Sequence, residues 1–360
     1  MKELSTIVEK YNKLRKTSAK LALATVIDVE GSSYRRTGAR MLIQDNGIWT
    51  GGISGGCIEG DALKKASLAI AGKKTIQITY DTSKENEEQI GVSLGCNGLI
   101  RVLITPIDYN DENNPLEQLN KCVDTRGANI LITVIEAENH LPIRAGQVIK
   151  YTTGQALEIS LKAAYQQSIY DDIQLVLQQR KSKIITYPGC KLFIEFIPPP
   201  IHIIIMGGNY DVYPLLKITA TMGWRKTIVA NPRRLANNIH QLANDVVSDL
   251  AEVDIDKYTI AIIMSHDYQA DLNNLAKALQ TELAYIGLLG PASRKIEMLA
   301  ELPFKIDKDI ECRIFGPVGL DIGASQPEEI AISIVSEILA VLRNRPGSLL
   351  KNRQETIYDR

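Results

Sequence analysis

An α/β protein of two domains is the fold class this sequence predicts, and three observations carry it. A chain of 360 residues with 45% apolar residues is long enough for about two cores. Pro198-Pro199-Pro200 breaks the chain, because three prolines fit neither a helix interior nor a central strand. After that break, short apolar runs alternate with helix-period segments, the pattern of a doubly wound parallel sheet.

The C-terminal domain is read over 201–343. Its strands are expected at 201–206, 226–230, 258–264, 284–289 and 312–315, and its helices at 212–222, 233–243, 268–281, 292–301 and 327–343. The wholly apolar 201–206 run suits a strand buried on both faces. Ser325 and Glu328 have capping-box spacing, with Pro327 in the first turn of the last helix. Together these elements predict a Rossmann-like doubly wound parallel-sheet domain, followed by a tail at 344–360.

The N-terminal α/β domain, 1–197, reads as two related halves, about 1–108 and about 115–197. The segment 23–42 aligns with 131–150, matching Thr25, Val26, Arg36 and Gly38 to Thr133, Val134, Arg144 and Gly146. The tripeptide at 78–80 recurs at 185–187, and Gly95-Cys96 recurs as Gly189-Cys190. This internal duplication serves as a control. Features common to both halves are scaffold, and features of one half are functional candidates. The first half alone carries Gly51-Gly52-Ile53-Ser54-Gly55-Gly56-Cys57-Ile58-Glu59-Gly60 and a polar insertion at 81–94.

The 51–60 segment is expected to be a strand-to-helix turn. Asn46-Gly47 before it signals a type I′ hairpin, and 59–72 reads as a helix ending at Gly72. Glycines let backbone N–H groups approach an anion, and a helix N-terminus adds donors. Cys57 at that N-terminus is placed to have a lowered thiol pKa. A tight turn with a packed cysteine fits the same residues. Cys96 reads either as a half-buried cysteine at the start of a strand, as Cys190 would be in the other half, or as a residue that meets the 51–60 loop at the same edge of the sheet. Arg35 and Arg40 flank Gly38 and fit either a phosphate site or a solvated loop.

In the second domain Gly207-Gly208-Asn209 stands where a dinucleotide-binding glycine loop would stand. Asn209 replaces the second glycine, and Asn231 replaces the acid that would grip a ribose; both argue against tight NAD(P) binding. His266 beside Asp267, Gly290 with Arg294 and Lys295, and Gly319 and Asp321 in the 316–325 loop all follow strands, on the ligand-binding edge of such a sheet, and Asp267 fits acid–base work with His266 and a helix cap equally well.

Composition excludes other classes. The 41 Lys+Arg residues against 42 Asp+Glu leave no net basic charge for nucleic acid or an anionic membrane. No apolar run approaches the ~20 residues of a membrane span. Five scattered cysteines, none with zinc spacing, read as reduced thiols in a cytoplasmic protein.

Taken together, GGISGGCIEG (51–60), GCNG (95–98), YIGLLG (285–290) and GPVGLDIGASQPEEIAISIVSEI (316–338) resemble the xanthine dehydrogenase accessory family, XdhC/CoxI. The resemblance implies a maturation factor that binds the molybdenum cofactor (molybdopterin) transiently. It implies support for exchange of an oxo for a sulfido ligand, and transfer to a molybdenum hydroxylase client. It places Cys57 as the main thiol on the cofactor and Cys96 in a second cysteine-glycine motif. A cysteine desulfurase-type sulfur donor is the other expected partner, and a homodimer is compatible with two Cys57 loops sharing a cleft. Five residues depart from the family pattern: Asn209, Tyr210, Asn231, Asn97 and Pro291. An NAD(P)-dependent oxidoreductase built on the Rossmann-like domain is the alternative reading.

Overall fold

The computed structural model describes residues 2–31, 33–56, 58–81, 98–111, 113–123, 125–152 and 163–354. The chain divides into two compact units, Met1–Pro199 and Pro200–Arg360.

In the first unit the elements run α1 (Lys2–Arg15), β1 (Leu21–Gly31), β2 (Arg40–Gln44), β3 (Trp49–Gly51), α2 (Glu59–Gly72), β4 (Ile76–Asp81) and β5 (Gly98–Pro106). Then come α3 (Pro115–Asn120), β6 (Asn129–Ala137), β7 (Val148–Tyr151), α4 (Ala163–Gln179), β8 (Lys183–Tyr187) and β9 (Cys190–Ile197). They form two antiparallel sheets, ordered β3-β2-β1-β5-β4 and β7-β6-β9-β8. The sheets pack face to face through Ile27, Leu103, Ile135 and Phe193. Helix α2 covers the outer face of one sheet with Ala62, Ala66 and Ala69. Helix α4 covers the other with Ile169, Ile173 and Val176. Alanines on α2 let it lie close to the sheet, so its N-terminus meets the end of the short strand β3.

Two details differ from the expectation. The β2–β3 connection is not a type I′ turn. Gly47 N–H donates to Gln44 O at 3.0 Å and only Gly47 has positive φ, at 84°. That is a turn closed by one left-handed glycine, with Asn46 Oδ1 accepting from Ile48 N–H. Helix α2 runs over 59–72 as expected, but its left-handed cap is Lys73.

The second unit contains β10 (His202–Met206), α5 (Val212–Thr221), β11 (Arg225–Val229), α6 (Asn237–Leu242), β12 (Asp245–Val247), β13 (Thr259–Ile263), α7 (Tyr268–Leu279), β14 (Ile286–Leu288), α8 (Ala292–Ala300), α9 (Lys308–Glu311), β15 (Ile314–Phe315) and α10 (Pro327–Leu342). All six strands are parallel, in the order β12-β11-β10-β13-β14-β15. This is the doubly wound sheet expected, and its order reverses between β10 and β13. One helix is corrected. The 233–243 segment splits into a short 3-10 turn at Pro232–Arg234 and α6, because Asn231 accepts from Arg233 N–H and caps the turn. The three-residue strand β12 follows it. The capping box of α10 also moves by one residue, to Gln326 and Glu329, because Pro327 takes the first helical position and fixes the cap before it.

Among the described residues, no helix is long and apolar enough to cross a membrane.

Candidate functional site

The glycine-rich turn after β3 is knotted rather than open. Glu59, the first residue of α2, is 8% exposed. Ser54 N–H donates to Glu59 Oε1 at 2.8 Å, and the Ser54 hydroxyl donates to Glu59 Oε2. The same hydroxyl oxygen accepts from Gly56 N–H at 3.1 Å and Ile58 N–H at 3.4 Å. Gly52 N–H donates to Arg40 O at 3.0 Å. Burial pushes the Glu59 carboxyl up, but the Ser54 hydroxyl and nearby N–H groups outweigh it and hold the pKa below the usual value.

This corrects the anion-cradle expectation. The N–H groups of Gly52, Ser54, Gly56 and Ile58 are already spent, and a carboxylate occupies the helix N-terminus where a phosphate would sit. The turn is built to hold one loop conformation. Gly51 lies at φ 86°, where a Cβ would stand 2.4 Å from Arg40 O. Gly56 lies at φ 114°. Ile53 and Ile58 are fully buried and anchor both sides of the turn. Cys57, between Gly56 and Ile58, and Cys96 lie outside the described residues.

The two arginines have other occupations. Arg40 is 5% exposed and its guanidinium pairs with Glu195 on β9, with Nη1 at 3.0 Å from Oε1 and 2.9 Å from Gly38 O. Its sequence position beside a glycine loop led to a phosphate role; the structure makes it the buried tie between the two sheets. Arg35 pairs with Glu3 on α1. The neighbouring Tyr34, which no sequence motif marks, lies against the turn. A Cβ on Gly55 would be 3.4 Å from the Tyr34 ring.

In the second unit, Asn209 and His266 come together across the switch point. Asn209 Nδ2 donates to Ser265 O at 2.9 Å. His266, at φ 62°, places Nε2 2.6 Å from Asp211 Oδ2. Asp267, which by position suits either acid–base work beside His266 or a helix cap, caps α7 by accepting from Ala270 N–H. Asp211 was the missed residue, and its place at the end of the glycine loop, before α5, was its sequence signal. Gly207, at φ 152°, passes so close to β13 that a Cβ would be 2.4 Å from Met264 O. At Gly208 a Cβ would be 2.2 Å from Leu235 Cδ2. Gly290, at φ 129°, packs on Arg294, whose Nη2 donates to Asp271 at 2.8 Å. Gly319 N–H donates to Glu337 Oε2 at 3.1 Å, and Asp321 is exposed. The glycines here serve close packing, with a carboxylate at the start of α5 where a dinucleotide would place its pyrophosphate.

Two family models match the chain and together span more than half of it. One, the XdhC and CoxI family, covers 14–81 and includes the Ser54–Glu59 turn; the other, the XdhC Rossmann domain, covers 203–338. The chain belongs to the XdhC and CoxI family. This XdhC/CoxI chain is 28% identical over 327 residues to a protein of Bacillus subtilis (strain 168) named as a probable xanthine dehydrogenase subunit, covering 88% of this chain and 92% of that one. It is 21% identical over 324 residues to the molybdenum cofactor insertion chaperone PaoD of Escherichia coli (strain K12), covering 89% and 82%. A crystal structure described as a xanthine dehydrogenase from Bacillus halodurans matches 96% of the XdhC/CoxI chain and 98% of its own, with a TM-score of 0.73 and 27% identity. The family read from the motifs is the family matched.

Proposed function

We propose that this chain is a maturation factor for a xanthine dehydrogenase-type molybdenum hydroxylase. It holds the molybdenum cofactor as transient cargo, supports replacement of an oxo by a sulfido ligand, and passes the cofactor to the client. The names of its relatives support this reading. The observation that carries the site is the Ser54–Glu59 knot, which fixes the ends of the turn on either side of Cys57. A soft thiolate from Cys57 would suit molybdenum and sulfur chemistry. The chain's own part is positioning: it holds the turn, and the cargo brings the metal. A cysteine desulfurase-type protein supplies the sulfur.

The NAD(P)-oxidoreductase alternative gains no support from the second unit. Asn209 is spent on Ser265 O, Asn231 on capping, and Asp211 sets a carboxylate at the start of α5.

The test is to incubate the full chain with molybdenum cofactor released from a molybdoenzyme. Binding and activation of a cofactor-free hydroxylase are then measured for the parent and Cys57→Ala. The variant is expected to lose both. A variant that binds and activates as the parent does would remove Cys57 from the proposal. Absence of cofactor binding by the parent would remove the function.

A further inference from the structure

Two corners of the first unit have the same backbone and opposite chemistry. In one, Val26 N–H donates to Ala39 O, Gly38 N–H to Val26 O and Ala39 N–H to Arg36 O. In the other, Val134 N–H donates to Gln147 O, Gly146 N–H to Val134 O and Gln147 N–H to Arg144 O. Every residue of the second set lies 108 positions after its counterpart. Both strands are bulged at the matching place, between Val26 and Asp28 and between Val134 and Glu136. Gly38 and Gly146 have φ of 91° and 87°.

Between these shared contacts lie the corner tips. The second tip carries Leu141, Pro142 and Ile143. Ile143 is buried, and Leu141 packs on the same core and on Gly189. The first tip carries Ser33, Tyr34 and Arg35 in the matching positions. Ser33 is 2% exposed, and its hydroxyl has no hydrogen-bond partner among the described residues. Arg35 is drawn aside to Glu3. Tyr34 is 67% exposed and rests on Gly55 of the candidate turn. Pro142, the counterpart of Tyr34, is exposed as well, so the corner leaves this position open in both halves, and the first half alone sets an aromatic ring there, against the candidate turn. A buried hydroxyl without a partner is a cost the second tip does not carry. The N–H groups of Ser54, Gly56 and Ile58 are spent within the turn, and Tyr34 sets a flat aromatic face at this edge.

We propose that Tyr34 is a positioning residue of the candidate site, a wall on which a planar heteroaromatic ring of the cargo stacks. The proposal rests on the function inferred above and names the part of the cargo this edge meets: the pterin ring, not the phosphate. Stacking of a heterocycle on a tyrosine needs only two flat faces in offset contact.

The experiment compares the full-length parent, Tyr34→Leu and Tyr34→Trp. Two probes are used: molybdenum cofactor released from a molybdoenzyme, and 6-carboxypterin, a ring without metal or phosphate, followed by fluorescence quenching. Tyr34→Leu is expected to weaken both probes about tenfold, while Tyr34→Trp binds as well as the parent. The thermal midpoints stay together, because the ring is exposed. Equal affinity of parent and Tyr34→Leu would overturn the wall and leave the proposed function standing. Weakened cofactor binding with unchanged carboxypterin binding would also overturn it, because the contact would then not be to the ring. A parent that binds neither probe would overturn both proposals.

Discussion

Glu59 takes both the hydroxyl and the backbone N–H of Ser54 on its two carboxylate oxygens, and the same Ser54 oxygen collects the N–H groups of Gly56 and Ile58. A serine and a glutamate five residues apart thereby close a turn that the four glycines ahead of α2 would otherwise leave loose. The glycines permit the path and the knot selects it.

Glu59→Gln keeps the shape and removes the charge. Hydrogen bonds to a charged group contribute about 1.5–3 kcal/mol, so urea unfolding is expected to show a loss of that order. The sign with pH follows from the lowered pKa. The carboxylate's contribution is complete above the unfolded carboxyl pKa and is lost as pH falls through the lower folded value. Parent and Glu59→Gln stabilities should therefore converge in acid below the usual carboxylate range. A gap independent of pH would contradict the charge assignment.

Gly51→Ala tests the entry to the turn. The new Cβ would meet the carbonyl oxygen of Arg40 at 2.4 Å, at a positive φ that alanine resists. Strain of this kind costs of order 1–3 kcal/mol, and backbone cannot step aside as a side-chain end does. Reduced thermal stability, with weakened cofactor binding, is the expected result. Gly47→Ala, with open space at its Cβ, is the control for φ alone.

Arg40 and Glu195 form a buried pair 155 residues apart in the chain. Glu195→Leu leaves a buried guanidinium without its carboxylate, and breaking such a pair costs about 3–5 kcal/mol. The double change Arg40→Met with Glu195→Leu is expected to recover most of that loss. Urea unfolding of the parent, the two single variants and the double variant forms the cycle. An additive double variant would deny the coupling.

Thiol chemistry separates the cysteines. Burial pushes the Cys122 thiol up to about 11, and Cys190 is raised by burial as well. Cys312 is exposed. Brief alkylation at neutral pH, read by peptide mass spectrometry, should label Cys312 and leave Cys122 and Cys190 intact. Labelling of Cys122 at the rate of Cys312 would contradict its packing.

Titration with NAD(P) should give no saturable binding below millimolar concentration. Asp211 sits at the start of α5 with its carboxylate turned to His266, and Leu235 fills the space beside Gly208. Calorimetry checks this directly, and a micromolar isotherm would restore the nucleotide reading of the second unit.

The sequence exposed what local periodicity encodes. The strands β10 and β13 stood out as short apolar runs, and α2 as an alanine-rich amphipathic stretch. The strand β12 did not, because three residues carry no period. The roles of Arg35 and Arg40 were misread for one reason: an arginine beside a glycine looks the same whether its acid is a ligand or a glutamate from a distant strand. His266 has an aspartate next to it in sequence, yet the αL backbone turns the ring toward Asp211, 55 positions earlier. Tyr34 became visible only once its corner could be set beside the Leu141–Ile143 corner. Knotted turns of this type depend on side chains meeting backbone, which spacing alone does not reveal.

The tie between Arg40 and Glu195 also sets an order of events during synthesis. Arg40 supplies the carbonyl that receives Gly52 N–H, so the strand that anchors the turn is the strand whose cation needs β9. A nascent chain that has not yet released β9 from the ribosome holds that arginine without its acid. Its glycine turn then hangs from an unneutralised strand. The turn's own knot closes locally, whereas the strand from which it hangs gains its charge partner only when the last strand of its unit arrives.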